Sequence, residues 1–185
     1  MKELSEDKTV LSDMLARYDR KRFRIFELTA NSPAAGIAIL GFMDKPAAET
    51  LPGAACLLWN WCKAFGEDWG VVREVADVRP AHLAQVQRRL QQVVEAGARK
   101  VPPDTAQRKV AAHVDAIYRD FRAHDGPVGG EFREWGVAGD APRCDAALVP
   151  TRITESWMLE DTADAVVMIY GTETAFCYFD WWFPE

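Results

Sequence analysis

Three short runs near the C-terminus constrain this chain more than anything else in it. Glu155 to Leu159, Ala165 to Tyr170 and Ala175 to Trp182 are rich in β-branched and aromatic residues, which suit a pleated sheet. Asp161-Thr162-Ala163-Asp164 and Gly171-Thr172-Glu173-Thr174 separate them as turns. Such short connections join neighbouring strands, so sequential antiparallel pairing, a C-terminal three-stranded meander, is the simplest topology. The last run adds a second constraint. Side chains alternate between the faces of a strand, so Cys177, Phe179 and Trp181 share one face and Phe176, Tyr178, Asp180 and Trp182 the other. Both faces carry rings. Either one face is open to a partner, or the strand is sandwiched between two layers.

Upstream, the patterning is mixed. Ser5 caps a predicted helix with Val10, Leu11, Met14, Leu15 and Tyr18 at helical spacing. Phe23 to Thr29 and Ile37 to Met43 predict strands around an Asn31-Ser32-Pro33 turn. Pro52 opens a helix through Leu58, Trp59, Cys62 and Phe65 that Gly66 stops. Pro80 opens another, with Leu83, Val86, Leu90, Val93 and Val94 on one face and Gly97 at its end. Asp104 and Gln107 resemble a capping box ahead of Val110, Val114, Ile117, Tyr118 and Phe121, and Gly126-Pro127 ends that helix. The last two helices form an antiparallel hairpin. Residues 126–150 lack a sustained period and form a long loop with at most a short element. The expected class is α+β: helices packed on a mostly antiparallel sheet. Residues 1–185 are expected to make a single domain, with 126–150 as the candidate internal boundary.

The chain has 185 residues, 49% apolar and 27% charged, an ordinary globular composition. Its net charge of −6 argues against coating nucleic acid by charge alone. The basic run Arg17, Arg20, Lys21, Arg22 and Arg24 is better placed as a solvated helix end beside Asp13 and Asp19. The mixed-charge start, Met1 to Lys8, lacks a secretory pattern. The longest apolar stretch, Ala34 to Met43, is half the length a membrane span needs. Cys56, Cys62, Cys144 and Cys177 are too scattered for a disulfide scaffold. The expectation is a cytoplasmic protein with reduced thiols and no membrane partner.

Motifs for chemistry are sparse. His113, Asp115, His124 and Asp125 contain the letters of a metal-dependent phosphohydrolase of the histidine-aspartate type. Eleven residues of helix separate His113 and His124 by roughly 16 Å, too far to share one ion. A hydrolase would have to bring His82 to His124 and Asp125 through the tertiary fold, with a divalent metal. Cys56 and Cys62, six residues apart, point about 120° away from each other on a helix. Gly129-Gly130 lacks the Lys-Ser or Lys-Thr pair of a phosphate-cradling loop, and no nucleophile elbow or zinc-protease helix is present. No cofactor, catalytic residue or metal ligand set is expected.

Charge is distributed unevenly. Residues 153–185 hold Glu155, Glu160, Asp161, Asp164, Glu173, Asp180 and Glu185 and no Lys, Arg or His, a formal −7 against −6 for the whole chain. The same segment holds eight of the 20 aromatic residues. Aromatic anchors concentrate binding energy, and complementary charge selects the partner. A candidate protein-binding surface is therefore Glu160, Asp161, Asp164, Glu173, Tyr178, Asp180 and Trp182, suited to a basic partner and repelling nucleic acid.

In these respects the chain resembles the small cytosolic immunity proteins of bacterial toxin systems, including those paired with type VI secreted effectors. The resemblance is carried by a short acidic α+β chain ending in Phe176-Cys177-Tyr178-Phe179-Asp180-Trp181-Trp182-Phe183. It implies a non-enzymatic inhibitor that binds a cognate toxin or effector domain and blocks it. The alternatives are the hydrolase and an accessory homodimer that buries its aromatic face against a second copy.

Overall fold

The structure, a computed structural model, describes residues 23–45, 99–134 and 148–184. The helices expected around residues 5–18, 52–66 and 80–97 lie outside them, as do His82, Cys56, Cys62, Cys144 and Glu185. Among the described residues one seven-stranded antiparallel sheet is joined by a single α-helix, an α+β arrangement. The strands are β1 (Phe23–Thr29), β2 (Ile37–Asp44), β3 (Arg99–Lys100), β4 (Glu131–Glu134), β5 (Glu155–Asp161), β6 (Ala165–Gly171) and β7 (Ala175–Trp182). The helix, α1, spans Pro103–Ala123. In space the strands run β3-β5-β6-β7-β2-β1-β4.

Local pattern explains most of these elements. β1 and β2 are connected by a single 3-10 turn, Pro33–Ala35. Gly36 follows it at φ 81°, in the left-handed region that glycine enters without steric cost. β2 then pairs with β7 from Ile37↔Trp182 to Asp44↔Ala175, the long-range contact that joins the two ends of the described chain. β4, inside the long loop, pairs with β1 through Phe26↔Glu134 and Leu28↔Phe132.

α1 lies across one face of the sheet. Ala106, Val110, Val114, Ile117 and Phe121 are buried along one stripe, the amphipathic spacing that the sequence predicts. They join Phe26, Leu28, Ala38, Leu40, Met168, Tyr170, Phe179 and Trp181 in one apolar cluster. The capping box, however, does not form. Pro102 is the N-cap and makes no side-chain cap bond. The Gln107 side chain instead donates to the Pro150 carbonyl and accepts from the Ile153 amide, holding the helix start to the segment before β5. At the far end, Asp120 accepts the Asn31 and Ser32 amides at 2.6 and 3.2 Å. The helix thus spans from the β5 flank to the β1–β2 turn.

The opposite face is buried as well. Ile25, Ile39, Met43, Ile169, Phe176 and Tyr178 project there and are all nearly inaccessible. β7 is therefore buried on both faces, the second of the two alternatives, and its rings apart from the half-buried Trp182 are core.

Candidate functional site

The expected surface residues divide into three groups once placed on the sheet. Tyr178 and Asp180 are 0% and 5% exposed. The Tyr178 hydroxyl donates to Asp180 Oδ2 at 2.5 Å, so this carboxylate is hydrogen-bonded inside the protein and presents no charge to a partner. Glu173 is exposed in the β6–β7 turn and pairs loosely with Arg152 at 3.5 Å. Glu160, Asp161, Asp164 and Trp182 gather at the other end of the sheet, around the β5–β6 turn. Successive turns of a meander fall at opposite ends, here separated by the seven residues of β6, or about 20 Å. The seven residues do not form one patch.

At the β5–β6 end the register of β5 sets the geometry. Met158 pairs with Met168, but Glu160 rather than Leu159 pairs with Val167, so a bulge falls between them. The bulge returns Asp161 to the α1 side of the sheet, opposite Val166. There its carboxylate meets Lys109 Nζ at 2.6 Å and an Arg99 guanidinium nitrogen at 3.0 Å. Two cations from outside the acidic segment thus offset Asp161. Lys45 similarly approaches Glu155 at 3.7 Å. Three of the seven carboxylates of that segment, Glu155, Asp161 and Glu173, are thus met by cations that fold onto them.

An exposed corner remains. Glu160 and Asp164 are exposed and form no salt bridge among the described residues. Phe183 is 38% exposed, and its amide donates to the Asp164 carbonyl at 3.0 Å. Its ring stands edge-on to Trp181 at 4.7 Å. Val128 is the other large apolar side chain left exposed among the described residues. No family model matches the chain, and no curated protein or solved structure does.

Of the metal-centred alternative, His124 and Asp125 are described and His82 lies outside the described residues. His124 caps α1, half-exposed, with Nδ1 at 2.9 Å from the Asp120 carbonyl oxygen. Asp125 follows at φ 56° as part of the helix stop. No group of three or more His, Cys, Asp or Glu among the described residues could hold an ion. Cys177 is buried, and burial pushes its thiol up to about 12, which leaves it protonated and inert. No helix among the described residues is long and apolar enough to cross a membrane. Arg24, from the basic run, lies in β1 with its guanidinium 2.8 and 3.2 Å from the Glu134 carboxylate oxygens.

Two polar constellations escape a reading of the sequence. Asn31 Oδ1 accepts the Gly129 and Gly130 amides at 2.7 and 2.9 Å, while its Nδ2 donates to the Gly126 carbonyl. This fastens the β1–β2 turn to the loop before β4. The second is His113 stacked on Trp181 with ring centroids 3.9 Å apart. Lys109 and His113, one helical turn apart on the edge of the apolar stripe, were the available signal. Their partners in β5 and β7 were not. A groove of about 530 Å³ lies at the Glu173 end, between Leu148–Arg152 and Thr172–Ala175, with Phe42 and Cys177 in its lining.

Proposed function

We propose that the chain is a non-enzymatic protein-binding module of the immunity-protein type, which neutralises a bacterial toxin or effector domain with a basic surface. The reading is supported by the corner at the β5–β6 turn, where the exposed Phe183 is tied through its backbone amide to the carbonyl of Asp164 in that turn. An apolar ring surrounded by charge is the pattern of an anchor with a polar rim. Glu160, Asp164, Trp182 and Phe183 make up the contact. Asp161 belongs beneath it as a strut to Lys109 and Arg99. Since Asp161 is offset, the corner is only weakly acidic. The ring therefore supplies more of the affinity, and the carboxylates supply orientation and encounter rate.

The test is kinetic. With a partner co-purified from the native cell, the Glu160→Lys/Asp164→Lys double variant should associate roughly three- to tenfold more slowly at low salt. The difference should fade as salt is added. Phe183→Ala should instead speed dissociation, by roughly tenfold or more for a buried anchor. If neither variant alters binding, the corner is not the contact.

A further inference from the structure

Lys109, His113 and Ile117 recur every four residues along α1, so they line up on one side of the helix. Ile117 is buried in the core, and Lys109 reaches Asp161 on β5. Between them the His113 imidazole lies nearly flat on Trp181, with 28° between the ring planes and Phe179 at 6.2 Å. Trp181 is 4% exposed. Its indole N–H donates to the Ala35 carbonyl at 3.1 Å, and the Phe183 ring packs against it at 68° between the ring planes. His113 therefore covers the indole that fixes the end of β7 both to the β1–β2 turn and to Phe183.

We propose that His113 is a pH-sensitive latch: neutral, it holds the Trp181–Phe183 end of β7 against α1, and protonated, it lets that end go. The groups around it favour the neutral ring. From its own helix Lys109 presents a positive charge one turn away. From β5 comes Asp161, whose negative charge is shared with Lys109 and Arg99. From β7 come only the aromatic faces of Trp181 and Phe179. Charging the imidazole would add a third cation to a pair of cations around one carboxylate, in a half-buried position. Burial first and Lys109 second hold His113 below the usual imidazole range, and Asp161 opposes them. Attraction between an imidazolium and the Trp181 face works in the opposite sense. The latch requires that burial and Lys109 prevail. It stands independently of whether the corner docks a partner.

The sign of the pH dependence follows. In the unfolded chain the imidazole protonates near its ordinary value of about 6.5. The folded form resists protonation, so the latch's contribution is complete above that value. It is lost as pH falls below it, until the folded group is protonated too.

The test is a nuclear magnetic resonance titration of the full chain from pH 8 to pH 5. It follows the His113 ring and the Trp181 indole N–H, the latter assigned with Trp181→Phe. The latch predicts a His113 midpoint below the ordinary histidine value and a Trp181 indole signal that moves with that same midpoint. In His113→Gln the indole signal should be flat over this range. Lys109→Gln, which leaves the stack in place, should raise the His113 midpoint. A midpoint at or above 6.5, an indole signal that ignores His113, or one that still titrates in His113→Gln would overturn the latch. So would a midpoint that Lys109→Gln leaves unchanged.

Discussion

Tyr178 and Asp180 sit two residues apart on the same face of β7, and the hydrogen bond between them is made inside the core. Tyr178→Phe keeps the ring and removes the donor, leaving a buried carboxylate one hydrogen bond short. Such a loss costs about 1–3 kcal/mol, measurable as a lower urea midpoint with an unchanged m-value. Asp125 is a second residue under constraint. The Gly126 amide closes the helix onto the Phe121 carbonyl at 2.8 Å, and Asp125 occupies the left-handed position usually given to glycine. A β-branched side chain tolerates that conformation poorly, so Asp125→Val should cost about 1–2 kcal/mol, while Asp125→Gly should be tolerated. Cys177 gives a chemical check on the core. With its thiol pushed up to about 12, roughly one molecule in ten thousand is thiolate at pH 8. Native protein should therefore leave Cys177 unalkylated by iodoacetamide while unfolded protein is labelled, as read by mass spectrometry.

Among the elements, β1, β2 and α1 were legible because each has a local signature. β1 is observed from Phe23 to Thr29, where alternation and flanking turn residues place it. α1 follows the stripe from Val110 to Phe121. The start of that helix was not legible, because Gln107 finds partners 43 and 46 residues away rather than the local cap its spacing suggested. The β5 bulge was equally hidden. Nothing in Met158-Leu159-Glu160-Asp161 says that one residue will be left out of the register. That single offset nevertheless decides that Asp161 faces α1 and that Glu160 does not. Two substitutions probe this layer of the structure. Ile117→Ala, at a fully buried position beneath α1, should destabilise by about 2–5 kcal/mol. Gly36→Ala would put a methyl 2.5 Å from the Trp181 indole nitrogen and 2.8 Å from the Trp182 carbonyl at a positive φ. It should loosen the β1–β2 turn and the end of β7 together, seen as faster amide exchange in both.

At the scale of the whole molecule, the charge asymmetry of the sequence has a different meaning in the fold. Seven carboxylates in the last 33 residues would make one acidic face only if they shared a direction and kept no internal partners. Instead Glu155, Asp161 and Glu173 meet Lys45, Arg99, Lys109 and Arg152, and Asp180 is enclosed. Composition along a chain cannot reveal this, because Lys45, Arg99 and Lys109 come from segments distant in sequence. One part of it was accessible: successive turns of a meander lie at opposite ends, so Glu173 could not have joined Asp164. The rings follow the same logic. Two covered faces use Phe176, Tyr178, Phe179 and Trp181 as core, and among the described residues Phe183, just past the end of β7, is the aromatic side chain left exposed.

Hydroxyl-radical footprinting of the chain with and without its co-purified partner tests both halves of this picture at once. In the free protein Phe183 should be oxidised readily, while Tyr178 and Phe176 are protected to the level of the unfolding equilibrium. Partner binding should then shield Phe183 and Trp182 selectively. Oxidation of Tyr178 as fast as Phe183 in the free chain, or a Phe183 signal that the partner leaves untouched, would contradict it.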